Sequence, residues 1–223
     1  MPSATKYPLP KPILQVLEHE KIESLRPCQL KALDAGLLEG KNLLICTPTA
    51  SGKTFVAEIA LIEAISRGKG KGVYIVPLKA LANEKYKEFM QRYGTFCEIA
   101  MSIGDTDSPE DYLMNYDLII CTAEKLDSLI RHHCPWLPSV SVVVVDEIHM
   151  INDPGRGPTL EILITILRHM VKNSQFIGLS ATIGNPQQLA EWLGAELIID
   201  EWRPTTLKKG TLLEGEIRFH DDQ

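Results

Sequence analysis

Residues 42–65 read NLLICTPTASGKTFVAEIALIEAI, and three different patterns follow one another inside that stretch. Asn42 to Cys46 is a short apolar run of the kind that forms a strand covered on both faces, and from Phe55 onward the apolar residues continue over several turns of helix. Between them lies TPTASGKT, residues 47–54, rich in turn formers and closing on Gly52-Lys53-Thr54. A strand, a glycine turn and a helix in this order bring backbone N–H groups and the positive end of a helix to one point, which is what binding a phosphate requires. The amides of Thr49, Ala50, Ser51, Gly52, Lys53 and Thr54 are the expected cradle. Lys53 is the group that reaches the β and γ phosphates, and Thr54 supplies a hydroxyl for Mg²⁺. The strict pattern G-x-x-x-x-G-K-[ST] has glycine where Thr47 stands here.

The same alternation extends outward. Strands are expected at 42–46, 72–77, 98–103, 117–122, 141–146, 175–180 and 196–200, with helices at 29–39, 54–67, 78–93, 123–132, 159–170 and 185–193. Gly40 and Gly68 stand where helices end on a left-handed residue, and Asn185 followed by Pro186 stands where one is capped and begins. Strands apolar on both faces and separated by helices imply an α/β domain, doubly wound, with a mainly parallel sheet and helices on both faces. Residues 1–21 read as an N-terminal lead-in, 22–201 as the domain, and 202–223, with Pro204 and a lysine pair, as a linker toward something further.

Bulk properties bound the chemistry. The 223 residues are 44% hydrophobic and 23% charged, with a formal net charge of −6. Any nucleic-acid surface must therefore be a local patch. The five cysteines, Cys28, Cys46, Cys97, Cys121 and Cys134, are widely spaced and include no CxxC pair, which fits buried free thiols in a reducing compartment. His132 and His133 beside Cys134 lack a second ligand pair, so a zinc site is rejected. No run approaches the length of a membrane span, and the N-terminus has no apolar signal core. A cytoplasmic protein is expected, or a nuclear one in a eukaryote.

A second element supports the phosphate reading. VVVVDEIH, residues 142–149, is an apolar strand that ends in two carboxylates, Asp146 and Glu147. At the carboxyl end of a parallel sheet, Asp146 is placed to hold Mg²⁺ and Glu147 to orient and deprotonate an attacking water.

Together the loop TPTASGKT, the box DEIH at 146–149 and SAT at 180–182 resemble the first RecA-like domain of superfamily two DExH-box helicases, a P-loop NTPase fold. RPCQ (26–29) resembles the Q motif, which implies that Gln29 reads the adenine of ATP. PLKALANEK (77–85) and TAEKLDSL (122–129) resemble the motifs that lay a nucleic-acid backbone across the domain. DPGRGPTLE (153–161), LSATIGNPQQLAEWL (179–193) and WRP (202–204) are similar to the Ski-two-like branch, above all to the archaeal Holliday-junction-migration (Hjm) type repair helicases.

The resemblance implies an ATP-dependent 3′-to-5′ helicase motor acting on single-stranded or branched DNA. His149, Ser180 and Thr182 would relay the state of the γ-phosphate to the nucleic-acid surface. Pro77, Leu78, Lys79, Ala80, Gly104, Asp105, Thr122 and Lys125, on the other edge, would contact the strand. It also implies a second RecA-like domain supplying an arginine to the ATP site, a monomeric protein, and slow or absent turnover by this chain alone. RNA as the substrate, or a module that binds ATP without hydrolysing it, remain the competing readings. A P-loop kinase or transporter ATPase is disfavoured, because no arginine-rich lid and no LSGGQ-like segment is found.

Overall fold

The computed structural model describes residues 6–104, 110–132, 134–205, 210–213 and 215–219. Its centre is a seven-stranded sheet built from β1 (Leu43–Cys46), β2 (Lys71–Val76), β3 (Ile99–Ser102), β4 (Leu118–Thr122), β5 (Val140–Val145), β6 (Gln175–Ser180) and β7 (Glu196–Ile199). The order across the sheet is β3-β4-β2-β5-β6-β1-β7, and every neighbouring pair is parallel. The expected mainly parallel sheet is therefore wholly parallel, so all seven carboxyl ends lie along one rim.

The helices are α1 (Lys11–His19), α2 (Pro27–Asp34), α3 (Lys53–Ser66), α4 (Lys79–Tyr93), α5 (Ala123–Arg131), α6 (Gly157–Met170) and α7 (Pro186–Leu193). Alternate strand residues divide them into two layers. Leu43, Ile45, Tyr74, Val144 and Ile177 pack in one core with α1 to α4. Their chain neighbours Leu44, Val73, Val143 and Phe176 pack in the other core with α5 to α7. Strands covered on both faces have no use for a polar side chain, which is why they read as continuous apolar runs.

Three expectations change. Residues 11–19, taken as lead-in, form α1, whose Ile13, Val16 and Leu17 are buried in the first core. The amphipathic pattern sits between prolines, and Pro12 occupies the first turn, where the missing N–H costs nothing. The helix expected to run to Gly40 stops at Asp34, because the chain turns left-handed already at Gly36, with φ +102°. Asn185 does occupy the cap position of α7, but its side chain makes no cap hydrogen bond; Nδ2 donates to Gln188 instead. Gly68 ends α3 as expected, at φ +64°.

Beyond β7, strands β8 (Gly210–Leu213) and β9 (Glu216–Phe219) pair antiparallel within the segment read as a linker. Among the described residues, no helix is long and apolar enough to cross a membrane.

Candidate active site

The phosphate loop connects β1 to α3. Its left-handed residues are Ala50 (φ +64°) and Gly52 (φ +94°). Thr47 needs no glycine: it is fully buried, its N–H donates to the Ser180 carbonyl, and its hydroxyl lies 2.7 Å from that of Ser51. The first glycine of the strict pattern is thus replaced by a residue that braces the loop from within. Thr49 and Ala50 are exposed at the apex, and Thr54 is half-buried on the first turn of α3. One expected cradle amide is turned inward, since Ser51 N–H donates to the Pro48 carbonyl at 3.3 Å.

Lys53 is 8% exposed, and its ammonium lies 3.6 Å from Glu147 Oε1. The groups expected to share one ligand are thus within reach of each other. Asp146 is 5% exposed. Its Oδ2 accepts from the Tyr74 hydroxyl at 2.8 Å and its Oδ1 accepts from the Glu147 N–H at 2.9 Å. Burial nonetheless pushes its carboxyl above the usual range, against the Tyr74 hydrogen bond. A buried carboxylate short of positive charge is the setting that a divalent cation relieves, so the residues here fit Mg²⁺.

Glu147 itself is left-handed, at φ +49°. Such a conformation in a residue other than glycine is costly and concentrates at functional sites. It turns the carboxylate between Lys53 and His149, whose Nδ1 is 3.2 Å from Oε2, at ion-pair distance but without hydrogen-bond geometry. Ser180 is fully buried and its hydroxyl donates to the Ala181 carbonyl. Thr182 is exposed. His149, Ser180 and Thr182 therefore lie on the same rim, with the His149 ring against Glu147.

The DEAD/DEAH box helicase profile matches residues 26–189. The chain belongs to the DEAD/DEAH box helicase family. The ATP-dependent DNA helicase Hel308 of Methanocaldococcus jannaschii is 58% identical over 214 residues, covering 93% of this chain and 18% of that protein. The Hel308 of Methanococcus vannielii is 51% identical over 219 residues, covering 95% and 29%. Among solved structures, the helicase MrfA bound to DNA and AMPPNP superimposes with a TM-score of 0.75 at 26% identity, over 86% of this chain and 29% of that one. The chain thus spans less than a third of the length of these relatives.

In this helicase domain the Q-motif segment grips the phosphate loop. Arg26 Nη1 donates to the Ala50 carbonyl at 2.6 Å, Cys28 Sγ to that of Ser51 at 3.4 Å, and Gln29 Nε2 to that of Gly52 at 3.1 Å. Gln29 Oε1 also accepts from the Arg26 N–H, so the expected adenine reader is already engaged at both ends of its amide. Arg26 and Cys28 lie within RPCQ, where the motif resemblance gives a role to Gln29 alone. A cavity of about 300 Å³ opens beside the loop, lined by Arg26, Gln29, Gly52, Thr54, Phe55 and Glu58. A larger one of about 570 Å³ lies at the amino ends of the strands, by Lys41, Asn42 and Gly194, at the end of the sheet opposite the phosphate loop.

The expected nucleic-acid residues require a correction of place. Pro77, Leu78, Lys79 and Ala80 follow β2, Gly104 follows β3, and Thr122 ends β4. Since all strands are parallel, these positions share the rim of the phosphate loop and occupy its other half, rather than an opposite edge. Leu78, Lys79 and Ala80 are exposed at the N-terminus of α4, and Gly104 is left-handed at φ +115°. Thr122 is buried, its hydroxyl capping α5 through the Lys125 N–H. Lys125 is turned inward: its side chain is 1% exposed and its ammonium lies 3.0 Å from Glu110 Oε1. Asp105 and His133 lie outside the described residues. Among the described residues no group of three His, Cys, Asp or Glu is arranged to hold a metal.

Proposed function

We propose that this chain is the nucleotide-binding motor domain of an ATP-dependent DNA helicase. The observation that carries the reading is the meeting of Lys53, Asp146 and the left-handed Glu147 on one rim of the sheet. Lys53 offsets the charge of the β and γ phosphates, which draws it away from Glu147. Glu147, released, takes the proton of the attacking water. Thr54 and Asp146 would hold Mg²⁺, which would supply positive charge to offset that of the phosphates. His149, in contact with the base, passes the state of the site to Ser180, at the end of β6, and to Thr182 just beyond it. Amides at the exposed start of α4 and that of Gly104 hold the phosphates of a single strand, fixing position without reading sequence. DNA as the substrate rests on the likeness to the Hel308 DNA helicases, and 3′-to-5′ movement on the resemblance of the motifs to the Ski-two-like branch.

An arginine from a second RecA-like domain completes the ATP site in this reading. Such a finger contributes roughly three to five orders of magnitude to turnover, so the chain alone binds nucleotide weakly and hydrolyses it slowly.

The test uses the full-length protein. Glu147→Gln leaves MgATP binding by calorimetry within about threefold and lowers turnover by about 100-fold or more. Lys53→Ala weakens nucleotide binding by about tenfold or more. Single-stranded DNA stimulates turnover more than RNA of equal length. Unchanged turnover in Glu147→Gln removes the base from its role, and stronger stimulation by RNA reverses the choice of substrate.

A further inference from the structure

The segment leaving β7 is bound to the same helix that grips the phosphate loop. Lys31 on α2 lies 2.7 Å from Asp200 Oδ2 and donates to the Ile199 carbonyl at 2.9 Å. Asp200 is 8% exposed, and its Oδ1 accepts from the Trp202 N–H at 2.7 Å. The Trp202 ring then lies under the Arg26 guanidinium, 5.5 Å from its centroid. Arg26 is the residue that holds the Ala50 carbonyl at the loop apex. A continuous path of contacts runs from residues 199–202 through α2 to the phosphate loop.

Peptide geometry gives this path a lever. The carbonyl of one residue and the N–H of the next belong to one rigid plane. Arg26, Cys28 and Gln29 hold the carbonyls of Ala50, Ser51 and Gly52. The opposite ends of those planes are the N–H groups of Ser51, Gly52 and Lys53, three of the amides expected at the phosphates. Turning any of these N–H groups toward a phosphate swings its carbonyl by the same angle and moves the side chain that holds it. The fit around Gly52 is close: a Cβ there would come within 2.6 Å of Gln29 Nε2 and 2.8 Å of Arg26 Cδ. The two side chains cannot ignore a change in the loop.

We propose that Arg26 and Trp202 form a positioning pair that couples filling of the phosphate loop to the segment leaving the domain after β7. The pair acts through the Ala50 peptide, whose carbonyl Arg26 holds. The inference rests on the nucleotide reading above and adds to it a route by which the exit segment both senses the loop and sets its affinity. A cation over an aromatic face is worth about 0.5–2 kcal/mol, enough to alter nucleotide affinity about twofold to thirtyfold.

The full-length protein, labelled with 5-fluorotryptophan, tests this by ¹⁹F NMR. The Trp202 resonance is identified as the one missing from Trp202→Phe, and MgADP and Mg-AMPPNP are titrated while calorimetry measures binding separately. The Trp202 resonance is expected to shift and saturate at the calorimetric midpoint. Trp202→Ala is expected to bind nucleotide about threefold or more weakly, with its urea midpoint in the absence of nucleotide close to the parent. Trp202→Phe, keeping an aromatic face, is expected to restore the affinity to within about twofold. Calorimetric binding with an unmoved Trp202 resonance, or with Trp202→Ala binding like the parent, overturns the coupling and leaves the nucleotide reading intact. Absence of calorimetric binding overturns the nucleotide reading and the coupling with it.

Discussion

The hydroxyl of Tyr74 shows how much of the site depends on atoms that do no chemistry. It is fully buried on β2 and donates to Asp146 Oδ2, so it fixes the carboxylate that is expected to hold the metal. Tyr74→Phe keeps the ring and its edge contact with Phe89 while leaving one buried carboxylate oxygen without its donor. The expected loss is about 1–3 kcal/mol of unfolding free energy in urea titration. In the sequence this tyrosine sits inside GVYIVP and looks like one more apolar strand residue. What could not be read there is that β5 is the neighbour of β2. Thr47 and Glu147 teach the complementary lesson. Position within TPTASGKT and DEIH draws the eye to both, but the bracing hydroxyl of one and the left-handed backbone of the other are properties of closed loops.

Elements were more legible than their ends or their outward faces. Seven strands and six helices fall where the apolar runs put them, because a strand covered on both faces carries its signal in every residue. The N-terminal helix α1 was missed because it is short and set among prolines, yet Ile13 is fully buried against the rest of the first core. Ile13→Ala is expected to cost about 2–5 kcal/mol in thermal or chemical unfolding, where a loose lead-in would cost almost nothing. Lys125 on α5 read as a phosphate contact, and the helix periodicity did not reveal that it faces inward. Burial alone would raise the Glu110 carboxyl, but hydrogen bonds from Ser102 and Lys125 hold it below its ordinary value. Lys125→Ala therefore takes the buried donor from a half-buried carboxylate, with an expected loss of about 1–3 kcal/mol. A surface lysine would change stability by less than about 0.5 kcal/mol.

Across the whole molecule, one buried network joins three helical segments and carries a pH dependence. Glu58 on α3 takes 2.7 Å and 2.6 Å hydrogen bonds from Arg92 and Tyr93 on α4, and Arg92 also pairs with Glu20 just after α1. Burial pushes the Glu58 carboxyl up to about 7 in spite of Arg92 and Tyr93. The folded state therefore binds this proton more tightly than the unfolded chain does. Its stabilising effect is complete below the ordinary glutamate range and is lost as pH rises toward 7. Measured by urea titration, the stability of the parent relative to Glu58→Gln is expected to fall between pH 5 and pH 8, by on the order of 2 kcal/mol. The sheet order has a consequence for the birth of the molecule. β1 leaves the ribosome early, but its two partners, β6 and β7, come from residues 175–180 and 196–199. Until those are synthesised, the strand that feeds the phosphate loop has bare amides along both sides and is open to mispairing. ATP therefore offers no help to the nascent chain; it can reward only a domain whose last strand is already home.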